Sequence, residues 1–478
     1  MSTLVSFTSD ARYLKQKVLK KVAELAFAGK LEQKKDKIPY EIIPGMTPHF
    51  RCCVYKEREI IRERVILASG GPKDAQDNQL VSVIQSACEG CPINRFRVTE
   101  NCQKCMAKHC IAACPFGAIS ITGAGAYIDQ SKCKECGRCA AACPYSAITD
   151  TIRPCKRSCP ADAITMDENK LCVIKEDKCI GCGACVAACP FGALSDTSKM
   201  VDVIEAIKSG EELWAVFAPS IEGQFGPQIT IPMIKDALLR AGFAHVQEVA
   251  VGADAVAQHE AEELLENKKL GRKMTTSCCP AFVNLIEKHY PTLAPLISHT
   301  VSPMQAIGRY IKSQDRDAKV VFLGPCIAKK GEAARYPEDV DYVLTFEEIA
   351  ALLGAKDIEF DKTITGDSDA SVYGRGFMAG GGVGKAVITA YNDLPGSEEL
   401  PVSCASCAGG AECKKALTLL KAGKMMEDIL EGMACPSGCV SGPAAILPPQ
   451  RRKPAAPDSP HPNATLEKFD FSKVDMTK

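Results

Sequence analysis

Twenty-seven cysteines in 478 residues, against seven histidines and one tryptophan, make thiolate chemistry the first thing this sequence offers. The cysteines are not scattered. Cys133, Cys136, Cys139 and Cys143, closed by Pro144, recur as Cys179, Cys182, Cys185 and Cys189, closed by Pro190. Cys102, Cys105, Cys110, Cys114 and Pro115 form a third run with two extra residues ahead of its third cysteine, and Cys155, Cys159 and Pro160 form half of a fourth. Such spacing lets one short loop present three thiolates to a [4Fe–4S] cubane, while the fourth, beyond a turn ended by proline, reaches a neighbouring cluster. Disulfides explain the pattern poorly: the N-terminus MSTLVSFTSDARYLKQK lacks the apolar stretch of a secretory signal, and a reducing compartment keeps thiols free.

The runs resemble those of bacterial ferredoxins, and the cross-over rule that accompanies the spacing assigns ligands. Cys102, Cys105 and Cys110 take Cys143; Cys133, Cys136 and Cys139 take Cys114; Cys179, Cys182 and Cys185 take Cys159. Cys155 and Cys189 then face a site two ligands short. Cys88-x2-Cys91, just upstream, can complete it, which closes the count at 16 cysteines and four clusters. The other thiols have plainer readings. Cys172, in KLCVI, reads as a small buried apolar residue. Cys52 and Cys53 are adjacent, which suits no cubane. Cys404, Cys407 and Cys413 lack an evident fourth partner and read as packing. His109 lies in a cluster loop that already has a full set of cysteines.

A second constellation lies downstream, in short motifs separated by long stretches: Cys279 in TTSCCPAF, Cys326 in GPCIAKKGE, and Cys435 and Cys439 in EGMACPSGC. The first two follow strand-like segments and precede helical ones. Pro280 opens a helix whose apolar face is expected to be Phe282, Leu285, Ile286 and His289. Open α/β sheets place their sites in loops at the carboxyl ends of strands. Four thiolates converging there would hold a further cubane.

TSCCP, PCxxKKxE and MACPxGC, in this order behind a ferredoxin-like module, resemble the three signature motifs of [FeFe]-hydrogenases over about residues 86–445. PAF after the first motif and PSGC in the third are most similar to the group B branch. The resemblance implies an H-cluster, a [4Fe–4S] cubane joined to a diiron unit carrying CO, cyanide and a bridging azadithiolate. It makes Cys279, Cys326, Cys435 and Cys439 the cubane ligands, the last bridging to the diiron unit. Lys329 matches the donor to one cyanide, and an ammonium suits a small anionic acceptor. Ala218, Pro219 and Ser220 match the loop around the other cyanide, and Phe377 and Met433 the lining of the diiron pocket. Cys278 matches the proton donor and acceptor facing the azadithiolate amine. Glu260, Ser298 and Glu263 continue it as a relay, the two glutamates falling three apart on one helix face. Gly324 stands where better-known relatives carry Met, and Met304 where they carry Gln. The implied reaction is 2H⁺ + 2e⁻ ⇌ H₂. Its electrons would come from ferredoxin or a similar soluble carrier through three to four accessory [4Fe–4S] clusters, and maturation proteins would insert the diiron unit. Two rival outcomes share the domain, a hydrogen sensor and a non-catalytic iron–sulfur assembly factor. The assembly factors typically lack the relay cysteine and the lysine, and both are present here.

These motifs need elements to hold them. Residues 1–85 are charged and largely helical by pattern, up to the break at Gly70, Gly71 and Pro72. Residues 86–200 form the ferredoxin-like multi-cluster module. Over 201–446, strand-like segments (LWAVFAPSI, KVVFLGPC, DYVLTF) alternate with amphipathic runs, which predicts an open α/β sheet. Residues 447–478 are Pro-rich and polar, which predicts a flexible tail. The expected fold is a multidomain α+β and α/β protein, a tandem ferredoxin-like [4Fe–4S] module followed by an α/β [FeFe]-hydrogenase catalytic domain. GRGFMAGGGVG is a weak dinucleotide-loop match, and its place in that domain makes it backbone packing near the cofactor. Lys+Arg and Asp+Glu both number 58, so nothing global attracts nucleic acid or an anionic membrane. No apolar run reaches the ~18–20 residues of a membrane span, and a cytoplasmic address is expected.

Overall fold

The computed structural model describes residues 9–72, 79–91, 94–366, 368–447 and 462–478. Helix α1 (Asp10–Phe27) begins where the Ser9 hydroxyl accepts the Arg12 amide, a side-chain cap on an otherwise unpaired N–H. Its Val18, Leu19, Val22, Leu25 and Ala26 recur at helical spacing and are buried. Helix α2 (Val54–Ala68) adds Ile61 and Val65 to the same apolar core, which continues into Val216, Phe217, Leu344, Phe346 and Leu352. The boundary expected at residue 85 therefore divides composition but not packing.

The thiol-rich segment folds as four antiparallel strand pairs. Phe96–Val98 pairs with Ile148–Asp150, Ile119–Thr122 with Gly125–Ile128, Ile164–Met166 with Cys172–Ile174, and Val81–Val83 with Leu194–Asp196. The last pairing corrects the module start expected at residue 86. Strand Val81–Val83 belongs to the second repeat unit, and the first unit is inserted between that strand and the rest of its own unit. Cys88 and Cys91 are thereby carried to the unit that holds Cys155 and Cys189.

Strands β1 (Leu213–Phe217), β2 (His245–Glu248), β3 (Met274–Thr275), β4 (Lys319–Gly324), β5 (Tyr342–Thr345), β6 (Cys404–Ala408) and β7 (Ile429–Met433) form two parallel sheets, ordered β2-β1-β4-β5 and β3-β7-β6. In β4 only Lys319 is exposed and β7 is wholly buried, as parallel strands covered on both faces require. The single open sheet expected from the pattern is thus two. Helices supply the crossovers: α3 (Ile231–Ala241), α4 (Val249–Lys269), α5 (Pro280–His289), α6 (Pro303–Gln314), α7 (Ala328–Arg335), α8 (Phe346–Ala355), α9 (Gly382–Asn392) and α10 (Gly410–Lys421). Helix α5 opens at Pro280 and buries Phe282, Val283, Leu285 and Ile286. It packs flush on β7, where a Cβ on Gly432 would stand 2.2 Å from the Phe282 ring. His289, expected in that apolar face, instead brings Nε2 to the Lys178 carbonyl at 2.9 Å.

The flexible tail expected over 447–478 is corrected over 462–478; residues 448–461 lie outside the described set. Helix α11 (Pro462–Lys468) leads to Phe469, which meets Tyr310 edge-on with ring centroids 6.1 Å apart, and to Phe471, which stacks on it at 4.8 Å. Val474 and Met476 are buried. The Val301 amide donates to the Met476 carbonyl at 2.9 Å. Four apolar side chains supply the burial that a polar, Pro-rich composition conceals. Among the described residues no helix is long and apolar enough to cross a membrane.

One buried ion cluster ties these parts together. Lys15 of α1 reaches Asp196 at 2.9 Å and Glu347 at 2.7 Å, and Lys330 of α7 reaches Asp196 at 2.7 Å and Glu348 at 3.2 Å. Burial alone would raise the Asp196 pKa, but the Lys15 and Lys330 ammoniums overcome it and hold the carboxyl well below its usual range. Burial likewise works against Lys15, and Asp196 and Glu347 outweigh it, so its pKa is raised. The depressed acid contributes above about pH 4 and loses its contribution only as pH falls through its lowered value; the raised lysine contributes below about pH 10 and loses it at higher pH. Stability from this cluster should therefore be flat from about pH 5 to 9. Asp196→Ala leaves two buried ammoniums short of a partner and should cost about 3–5 kcal/mol in denaturant unfolding.

Candidate active site

Each thiol run ends in the same local device. The residue three past the closing cysteine has positive φ: Gly117 (59°), Ser146 (49°), Asp162 (49°) and Gly192 (55°). That left-handed step turns the next residue, an alanine each time, so that its amide points back at the sulfur. Ala118 donates to Cys114 at 3.4 Å, Ala147 to Cys143 at 3.4 Å, Ala163 to Cys159 at 3.3 Å and Ala193 to Cys189 at 3.2 Å. Hydrogen bonds to cluster sulfurs are a recognised control of reduction potential. Cys114, Cys133, Cys136 and Cys139 line one cavity. Cys110 faces Cys105 and Cys143, with Cys102 in the same loop taking the Ala126 amide at 3.5 Å. Cys179, Cys182 and Cys185 face Cys159, and Cys88 and Cys91 face Cys155 and Cys189. Cys172 is buried, but it does more than pack. Its amide donates to Cys88 Sγ at 3.4 Å and its thiol faces Cys155, a fifth sulfur in that last group. Cys52 is exposed and Cys53 stands at the N-cap of α2.

The loops that follow β1, β3, β4 and β7 converge on one cavity. It is lined by Ala218, Pro219 and Ser220, by Cys278 and Cys279, by Cys326 and Lys329, and by Cys435 and Cys439, with Met304, Phe377 and Met433 as apolar wall. Burial first, and then the neighbouring cysteines, push the Cys326 thiol up to about 11 and the Cys439 thiol up to about 12. Four such sulfurs are stable as thiolates only beside a cationic partner. Among the described residues no three Cys, His, Asp or Glu side chains close on one point as a single ion requires. Four thiols around a cavity suit an iron–sulfur group, with one sulfur per iron. Lys329 Nζ lies 2.5 Å from Glu332 and 3.4 Å from the Cys278 carbonyl. Burial lowers its pKa, but Glu332 more than offsets this, so the ammonium is kept. Gly324 has a physical counterpart in Phe322, whose ring would stand 2.5 Å from a Cβ there and which lines the cavity. Met304, 1% exposed, presents a thioether where an amide would be polar.

Beside this cavity stand the carboxylates of α4. Half-buried Glu263 accepts the Ser298 hydroxyl at 2.7 Å, the Thr300 hydroxyl at 3.2 Å and the His299 amide at 3.0 Å. Ser298 is held by its own amide on the Thr275 carbonyl at 2.8 Å, and its side chain neighbours Glu260. Glu260 is fully buried. One oxygen accepts the Ser277 amide at 3.2 Å, and the other makes no hydrogen bond among the described residues. Burial pushes its pKa up to about 7. Cys278 comes next. Burial, and then the nearby Glu260, hold its thiol well above the ordinary range, so it is protonated.

Sequence reasoning missed Glu431. This buried acid on β7 accepts the Gly381 amide at 3.0 Å and the Gly384 amide at 3.1 Å, and it faces Cys278 and Cys439. It explains the Gly-rich stretch, whose amides grip a carboxylate and not a phosphate. A Cβ on Gly382 would stand 1.9 Å from the Gly376 carbonyl. The available signal was a lone acid in the apolar strand ILEGM. Cys407 and Cys413 meet thiol to thiol at 3.5 Å, Cys404 packs beside Glu431, and none of the three lines the cavity.

Comparison with known proteins fits this geometry. Residues 211–443 match the family model of the iron only hydrogenase large subunit, C-terminal domain. Residues 126–149 and 99–117 match 4Fe-4S binding domains, and 149–200 match the LdpA Fe-S cluster-binding domain. The NADP-reducing hydrogenase subunit HndD of Solidesulfovibrio fructosivorans is 28% identical over 305 residues, 50% of this chain and 51% of its own length. The periplasmic [Fe] hydrogenase large subunit of Nitratidesulfovibrio vulgaris is 28% identical over 300 residues, 50% of this chain and 70% of its own. The cytosolic Fe-S cluster assembly factor NAR1 of Yarrowia lipolytica is 30% identical over 139 residues, 25% of this chain and 28% of its own. The chain thus spans from about half to seven-tenths of the two hydrogenases, and relatives with and without hydrogenase in their names match it at similar identity.

The group of Cys88, Cys91, Cys155 and Cys189 yields a direct test. Converting Cys88 and Cys91 together to Ala should remove about four irons per chain and leave the other electron-spin-resonance signals in place. Unchanged iron would show that this group holds no cluster.

Proposed function

Because this chain is an [FeFe]-hydrogenase-like protein, with ferredoxin-like 4Fe–4S domains ahead of a hydrogenase-type domain, we propose that it interconverts protons, electrons and H₂. The observation that carries this reading is the meeting of Cys278 and Lys329 with four further cysteines around one cavity, beside the chain of Glu263, Ser298 and Glu260. An assembly factor, as NAR1 is named, would leave the Cys278 thiol and the buried Glu260 carboxyl without a task.

When bound, an H-cluster on Cys279, Cys326, Cys435 and Cys439 would supply the redox chemistry that joins or splits the H–H bond. The protein's own part is to bind, dry and connect. Lys329 offers its ammonium to an anionic ligand, while Phe377, Met304 and Met433 exclude water. Ser298, bonded to Glu263 and next to Glu260, can pass a proton between them by rotating its hydroxyl. A carboxyl whose pKa is about 7 releases and accepts protons with equal ease near neutral pH. Cys278 then presents that proton to the cavity. Electrons from a soluble carrier such as ferredoxin would arrive through the accessory clusters. Cys182 of the accessory group also lines the cavity, which supports this path.

Cys278 is not needed to hold iron on this reading, so Cys278→Ala should keep its infrared CO and cyanide bands while H₂ evolution from a chemical reductant falls by about 10²–10⁴-fold. Cys278→Asp, with an ionisable side chain, should recover part of the rate. Glu260→Gln and Glu263→Gln should slow turnover more than Ser298→Ala, whose missing hydroxyl a water can bridge. Near-wild-type evolution from Cys278→Ala with the bands intact would exclude this route.

A further inference from the structure

The docked segment 462–478 ends beside the carboxylates just described. Lys478 is exposed as a residue, yet its Nζ donates to the Ser277 carbonyl at 3.1 Å and its backbone amide to the His299 carbonyl at 2.7 Å. Those two residues are the ones whose own amides hold the glutamates: Ser277 donates to Glu260 at 3.2 Å and His299 to Glu263 at 3.0 Å. Lys478 thus grips, by their carbonyls, both residues whose amides make those bonds. The segment behind it is fastened independently. Arg309 donates to the Asp475 carbonyl at 2.8 Å and the Thr477 carbonyl at 2.7 Å, Thr477 bridges to Thr300, and Met476 is buried with Val301, Phe377 and Met433.

We propose that Lys478 is a positioning residue of the proton route, a clasp that holds Ser277 and His299 by their carbonyls so that Glu260 and Glu263 face Ser298 in register. The proposal rests on reading Glu263, Ser298 and Glu260 as that route. A hydrogen-bonded chain transfers protons only at bonding distances, so donor residues free to shift would lengthen and break it. The ammonium also acts through its charge. Glu260 is faced by Glu263 and Lys478, and it neighbours Cys278 and Cys404; Lys478 is faced by Glu332, Lys329, Cys278 and Glu260. Among the groups facing Glu260, Lys478 alone favours the ionised carboxylate by charge, against burial and Glu263.

The test uses the full chain with its iron–sulfur clusters and without the diiron unit, so that it is read apart from turnover. Amide hydrogen exchange is followed at Ser277 and His299. The infrared carboxyl band that vanishes in Glu260→Gln is titrated with pH. Lys478→Met should speed exchange at Ser277 by roughly five- to tenfold and move the Glu260 midpoint up by about half a pH unit or more, since a charge that favoured the carboxylate is gone. Lys478→Arg should restore both. Met476→Asp, which undocks the segment, should speed exchange at His299 as well. Lys468→Met loosens the tie to Asp369 and a contact with the Phe469 ring, both remote from Ser277 and His299, and should change neither readout. Unaltered exchange and midpoint in Lys478→Met would overturn the clasp, as would a Lys468→Met variant that behaves identically. Shifted readouts with unchanged H₂ turnover in the loaded enzyme would keep the clasp and defeat the proton-route reading. Slow turnover in Glu260→Gln beside an unmoved Lys478→Met would do the reverse.

Discussion

Thiolates crowded into an apolar space repel one another and lose their hydration, so a protein that gathers them must bring rigid loops from several elements to one place and leave the charge to a metal cluster. The two parallel sheets answer that requirement. β1, β3, β4 and β7 each end at the same cavity, and each delivers a short motif there. The buried strands and the flush packing of α5 on Gly432 keep those ends from moving apart. The Lys15, Asp196 and Lys330 cluster does the same for the accessory unit, whose Cys182 must stay against the cavity wall. Without that fastening the proposed electron path would lengthen, whatever the clusters themselves could do.

The accessory sites solve the same problem with a smaller device. A closing cysteine, a left-handed residue and an alanine amide make a turn that feeds one hydrogen bond to sulfur. The turn is built from Gly, Ser or Asp at the strained position, with no single residue required. Ser146 and Asp162 hold positive φ there at a modest backbone cost, about 1–2 kcal/mol for a non-glycine residue, beside the amide bond to sulfur that the turn makes.

Much of this was legible in the residues. Cysteine spacing is local, and local spacing dictates which sulfurs one loop can present, so runs such as Cys133 to Cys143 announce their chemistry. The strand segments LWAVF and KVVFLG were equally plain, because burial on both faces writes an unbroken apolar run. What failed was long-range. That Val81–Val83 pairs with Leu194–Asp196 across an inserted unit leaves no trace in local pattern. The docking of 462–478 depends on Phe469, Phe471, Val474 and Met476 finding Tyr310 and Val301, a tertiary match that polar composition outvoted. Glu431 escaped notice because a buried acid is recognisable only once its amide partners are in place.

The adjacent cysteines Cys278 and Cys279 show how one local feature divides the site. Cys279 is the N-cap of α5 with extended backbone, φ −98° and ψ 104°. Successive side chains on extended backbone point to opposite sides. Accordingly Cys279 packs with Ala281, Ala434, Cys182 and Cys326, the sulfur-bearing side through which electrons would come. Cys278 packs instead among Ala257, Ala261, Val301 and Met476, next to α4 and its carboxylates. An insertion between them would turn both sulfurs to one side. The separation of the proposed electron side from the proposed proton side is therefore a property of two residues of extended chain ahead of Pro280. The sheets, the buried ion cluster and the docked segment each hold one side of that division in place.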